Sequence, residues 1–148
     1  MWGVLVCEAP PHLLAFVAPV ENLMTSDASK QQIVLIVEDD PMLRGILAEA
    51  LAGEGLVVLT AATGEEAWAI ASPLDGQLAL VVTDVLLPHM DGLELADHLA
   101  GLSSPPPVLF ISGVKVERAL TGPVLAKPFG PRAFLEQVGR LLTAVQQG

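Results

Sequence analysis

Apolar positions in this chain follow two different periods, and the two take turns. Short continuous runs come first in each cycle: IVLIV at 33 to 37, LVVLT at 56 to 60, LALVVTD at 78 to 84, VLFIS at 108 to 112 and VLA at 124 to 126. Runs this short suit strands rather than helices, and the one that ends at Asp84 suits a strand buried on both faces. Helical spacing separates them. Pro41 at a first helical position, with Asp40 as its cap, precedes Leu43, Ile46, Leu47, Ala50 and Leu51, and Gly53 and Gly55 stop that helix. Thr63 with Glu66 three residues later forms a capping box for a helix through Ala71. A helix from about 93 to 102 carries Leu95 and Leu99 on one face, and SSPPP at 103 to 107 breaks it. Pro131 opens the last helix, whose apolar face is Phe134, Leu135, Val138, Leu141, Leu142 and Val145. Strands alternating with helices imply parallel pairing and right-handed crossovers, so the expected fold is a doubly wound α/β sheet in one domain.

The first part of the chain stands apart from that alternation. MWGVLVCEAPPHLLAFVAPVENLM is apolar but interrupted by Glu8, Pro10, Pro11, His12 and Pro19. No run in it approaches the ~18 apolar residues of a membrane span, and no basic residue precedes Leu13 as a secretory signal requires. Residues 1–31 are therefore expected to be a weakly ordered extension, with 1–23 upstream of a second start at Met24, and 32–146 the folded domain. The competing expectation is an apolar segment packed on the domain or on a partner.

Charge narrows the function. Seventeen acids against seven bases leave a net charge of -10, the wrong sign for a phosphate backbone, so direct nucleic-acid binding is not expected. One cysteine, Cys7, allows neither an internal disulfide nor a cysteine-rich zinc site. A cytoplasmic location without membrane attachment is the expectation.

The strand ends carry the chemistry. Glu38 and Asp39 follow the first strand, Asp84 ends the third, Ser112 the fourth, and Lys127 follows the fifth. In an open α/β sheet all of these meet at the carboxyl edge, where ligands bind. Three carboxylates brought together repel, and a hard divalent cation with oxygen ligands relieves this, magnesium suiting an open, hydrated pocket. Lys127 adds a charge for an anion and Ser112 a hydroxyl donor. A metal, a lysine and a hydroxyl around one carboxylate describe phosphoryl transfer onto that carboxylate, Asp84.

EDDPMLR, TDVLLPHMDG, VLFISG and AKPF, in this order and spacing, resemble the signature segments of response-regulator receiver domains, over roughly residues 32 to 145. The resemblance implies a flavodoxin-like sheet of order 2-1-3-4-5 and a cis bond between Lys127 and Pro128. It implies Asp84 as phosphoacceptor, magnesium bound by Asp39, Asp84 and the Leu86 carbonyl with Glu38 acting mainly through water, and phosphoryl oxygens held by Ser112 and Lys127. It also implies a signalling switch rather than an enzyme, whose partners are a histidine kinase or histidine phosphotransfer protein and a downstream protein target, with a homodimer as a further option.

Two features depart from that pattern. Val124 stands where relatives with an aromatic switch place Tyr or Phe in the fifth strand, and the chain has no Tyr. VKVERALTGP (114 to 123) has to supply the fourth helix and both of its connections, which leaves a shortened helix of about two turns at most.

A phosphorylation-independent binding module is the alternative, and loss of Asp84, Lys127 or the acidic pair would have favoured it. A dehalogenase-type phosphatase requires an acid where Leu86 stands, and EDDP would repel a flavin phosphate. His89 and His98 have no partner at metal-ligand spacing and are expected to serve the surface or packing, as is Trp68. Gly92 and Gly113 are expected to be backbone devices, with the Gly113 amide also near the phosphoryl group.

Overall fold

Alternation within each strand decides which helices cover which face of the sheet. The computed structural model describes residues 31–115, 120 and 122–147. The expectations for residues 1–30, and for the part of the shortened helix at 116–119 and 121, lie outside the described residues.

The strands are β1 (Ile33–Val37), β2 (Val57–Ala61), β3 (Leu78–Asp84), β4 (Val108–Ser112) and β5 (Val124–Ala126). They form one parallel sheet of order β2-β1-β3-β4-β5, a flavodoxin-like receiver-type topology. Between them run α1 (Pro41–Ala52), α2 (Gly64–Ala71) and α3 (Gly92–Ala100), and α4 (Pro131–Gln147) closes the domain. Leu35 and Val37 of β1, Val81 of β3 and Val108 and Phe110 of β4 point to one face, where Ala67 and Ala71 of α2 and Leu95 and Leu99 of α3 cover them. The intervening residues Val34, Ile36, Leu80, Val82, Leu109 and Ile111 point to the other, against Leu47, Ala48 and Leu51 of α1 and Phe134, Val138 and Leu142 of α4. A strand buried on both faces cannot show a polar alternation, which is why these runs read as continuously apolar.

Local chemistry sets the ends. Asp40 caps α1 by accepting from the Met42 amide at 3.0 Å. Gly55, at φ 83°, makes the left-handed turn into β2 that a side chain would resist. Thr63 Oγ1 accepts from the Glu66 amide at 3.0 Å, while Glu66 Oε1 accepts from the Ala62 amide, one residue before the position a capping box uses. β2 starts one residue later than 56, and α3 spans Gly92–Ala100 rather than 93 to 102 because Asp91, accepting from the Glu94 amide, caps it earlier. Ile46, expected in the buried face of α1, is exposed, and Ala48 takes its place in the core.

Candidate functional site

The order β2-β1-β3 means the chain leaves β1 toward one edge of the sheet and returns to its other side, so a crevice opens where β1 and β3 end. Glu38 and Asp39 leave β1 at that crevice and Asp84 is the last residue of β3. Carboxylate oxygens of Glu38, Asp39 and Asp84 all lie within 4.8 Å of one another. Glu38 and Asp84 are buried and Asp39 is exposed, so the cluster is a buried floor with one acid open to water.

Lys127 completes it from the opposite side. β5 pairs with β4 through Ser112↔Ala126, and the Lys127 amide then donates to the Ser112 carbonyl at 2.8 Å, which carries the lysine past the sheet edge. Its Nζ reaches Asp84 Oδ2 at 2.9 Å and Glu38 Oε1 at 3.3 Å. The Lys127–Pro128 bond that follows is cis. One ammonium is thus shared by two buried carboxylates. Burial pushes the Glu38 carboxyl up to about 7, helped by the charge of Asp84 and opposed by the Asp40 amide and by Lys127. For Lys127 burial pulls downward, but the Asp84 hydrogen bond and the charges of both carboxylates prevail, and its pKa is raised.

Backbone contacts hold the loop after β3. The Val85 amide donates to the Ile111 carbonyl and the Gly92 amide to the Val85 carbonyl, both at 2.9 Å. A side chain at Gly92 would collide with the Asp84 carbonyl, so only glycine lets this loop fold back so closely. Leu86 projects from the loop, exposed, and His89 adopts a left-handed φ of 63°.

Glu38, Asp39, Asp84 and Lys127 come together as the strand-end reading expects. Ser112 lies at the same edge, buried, but its hydroxyl donates to the Val114 carbonyl at 2.6 Å and accepts from the Val114 amide at 3.1 Å. Gly113 sits against Lys127, where an added methyl would lie 3.7 Å from the lysine side chain. His98 packs on Trp68, ring centroids 5.2 Å apart, well away from the acids in sequence and on the α2–α3 side of the sheet. Sequence reading missed two contacts: the Lys127–Glu38 pair, and Arg44 Nη1 donating to the Glu38 carbonyl at 2.8 Å. The Arg of EDDPMLR was visible, but its side-chain target was not.

Comparison with known proteins follows the same line. The model of the response regulator receiver domain matches residues 34–138. Among curated proteins the chain is similar to the transcriptional regulatory protein SrrA of Staphylococcus aureus, 28% identical over 119 residues, covering 76% of this chain and 48% of that protein. The chain thus spans about half the length of the curated relatives it matches. Among solved structures it is similar to the receiver domain of the hybrid histidine kinase CckA, with 35% identity, a TM-score of 0.67 and coverage of 74% of this chain and 98% of that one. It is also similar to the chemotaxis response regulator CheY4 of Vibrio cholerae, with 28% identity, a TM-score of 0.67 and coverage of 75% and 98%.

Proposed function

Because the chain belongs to the response regulator receiver domain family, we propose that it is a phosphoaccepting switch of a two-component relay, modified on Asp84 in a magnesium-dependent reaction. The convergence of three carboxylates within 4.8 Å, one of them on an ammonium at 2.9 Å, carries this reading. Residues 32–146 form the receiver unit in this reading and 1–31 an upstream extension. The donor is a histidine kinase or a histidine phosphotransfer protein, the recipient of the signal a downstream protein, and the setting the cytoplasm. No helix among the described residues is long and apolar enough to cross a membrane, which is compatible with that setting.

Asp84 is the nucleophile: its carboxylate oxygen forms the new P–O bond as the P–N bond of the donor phosphohistidine breaks, and the departing imidazole takes a proton from solvent. Asp39, Asp84 and the Leu86 carbonyl would hold magnesium, with Glu38 acting through water. Bound there, the cation would neutralise phosphoryl and carboxylate charge that otherwise repel. Lys127, already on Asp84, is placed to take a phosphoryl oxygen when charge moves onto that group. The Ser112 hydroxyl has to give up the Val114 carbonyl to do the same.

The test is incubation with acetyl phosphate, and separately with beryllofluoride, with and without magnesium. Wild type is expected to be modified only with magnesium and Asp84→Asn not at all. Equal labelling of that variant would refute the assignment.

A further inference from the structure

Every polar group of Glu38 is engaged. Its amide donates to the Ala61 carbonyl at 3.1 Å, one carboxylate oxygen accepts from the Asp40 amide at 3.1 Å, and the other meets Lys127 at 3.3 Å. The β1–β3 ladder stops at Val37↔Thr83, and the Glu38 carbonyl just beyond it is met by the Arg44 guanidinium from the first turns of α1 at 2.8 Å. The Arg44 amide in turn donates to the Asp40 carbonyl at 2.9 Å. Arg44 therefore closes a loop of backbone around one residue, Asp39.

Asp39 is exposed, so packing does little to aim its carboxylate. The peptide plane between Glu38 and Asp39 sets where the Asp39 side chain leaves the backbone, beside the Glu38 carboxyl that it hydrogen-bonds, and Arg44 holds the carbonyl of that plane. We propose that Arg44 is a positioning residue that fixes the Glu38–Asp39 peptide and so pre-forms the cation pocket. A charged, planar donor suits this task, because a charge-assisted hydrogen bond from a rigid fork resists rotation of the acceptor more than a neutral one. The proposal rests on the magnesium reading above. Arg44 also carries a positive charge, and the two roles predict opposite results on its removal. As a charge alone it would oppose a cation, and its loss would tighten binding. As a positioning group its loss loosens the pocket.

Magnesium titration of the full chain by calorimetry separates them, using wild type, Arg44→Met, Arg44→Lys and Asp84→Asn, with urea midpoints in chelator as a measure of the fold. Arg44→Met is expected to raise the magnesium Kd by about 10- to 100-fold, as loss of outer contacts to ligands does elsewhere, and Arg44→Lys to recover a large part. Arg44→Gln replaces Arg44→Met if the latter does not fold. Unchanged or tighter binding in the neutral variant overturns the proposal, and so does a fall in urea midpoint without a change in Kd, since that marks a purely structural contact. If wild type takes up no more magnesium than Asp84→Asn, the metal reading itself fails and the role of Arg44 with it.

Discussion

At the scale of the residue, Glu38 is the group whose protonation is most visibly tied to the fold. Its carboxyl lies at about 7 in the folded chain against an ordinary 4.5, because burial and Asp84 penalise the anion. A carboxyl raised by folding favours the folded state while protonated. Its contribution is therefore fully present below pH 4.5 and is lost as pH rises through 7. In chelator, wild type is expected to lose stability over that window by on the order of 3 kcal/mol more than Glu38→Gln, which has no proton to lose. Urea midpoints at a series of pH values check this, and parallel profiles for the two proteins would refute it. Magnesium should restore more stability at pH 8 than at pH 5, since it binds the anion. A second residue, His89, is held at φ 63°, a left-handed conformation that a β-branched side chain resists most. His89→Val is expected to cost about 1 to 2 kcal/mol and His89→Gly to be neutral or stabilising by less than about 1 kcal/mol. A Val variant with the wild-type urea midpoint would contradict this.

At the scale of the element, legibility follows how much of an element's signal is local. β1 and β4 have the bounds that their apolar runs predict, since a strand buried between two helix layers needs nothing but such a run; β5 also has its predicted bounds, but it is the edge strand and its ends are exposed. The 3-10 turn Ser72–Leu74 is shorter than one helical period and left no periodic trace. α1 departed from expectation because Ile46 is apolar yet exposed, and only the tertiary contact with α4 and the sheet tells which stripe is buried. The acids and Lys127 were legible because the carboxyl ends of parallel strands must converge. The partner of the Ser112 hydroxyl was not, because a serine can bond its own backbone two residues on, as it does here at Val114. That bond bears on how the proposed switch would change shape at the ends of β4 and β5. Val124 lies exposed at the start of β5, and an aliphatic side chain there cannot exchange a buried and an exposed state through a hydrogen-bonding tip. Conformational change on activation is therefore expected to centre on Ser112 and the 113 to 123 segment. Amide exchange with and without beryllofluoride would show it as altered protection there. A clear change elsewhere with none in that segment would argue against it.

At the scale of the whole molecule, the proposed switch would be defined by how long a phosphorylated Asp84 lasts, and the loops that leave β3 and β4 bear on this. The exposed large apolar residues among those described are Met42, Ile46, Leu86, Val114 and Val124. Leu86 and Val114 stand two residues after Asp84 and two after Ser112, on the loops that leave β3 and β4 at the carboxyl edge. Hydrolysis of an acyl phosphate needs a water in line with phosphorus, and polar side chains at the rim of the site can hold it there. Neither Leu86 nor Val114 can hydrogen-bond a water, and the Val114 backbone is already taken up by the Ser112 hydroxyl. Slow self-dephosphorylation is therefore expected, which suits a reversible relay or a domain reset by a separate phosphatase. Leu86→Asn combined with Val114→Glu supplies the missing polar groups without touching Asp84, Ser112 or Lys127. Decay of the phosphorylated double variant should be roughly tenfold faster than wild type, ~1.4 kcal/mol in the barrier. If the two proteins decay at the same rate, water positioning at these rims does not set the lifetime.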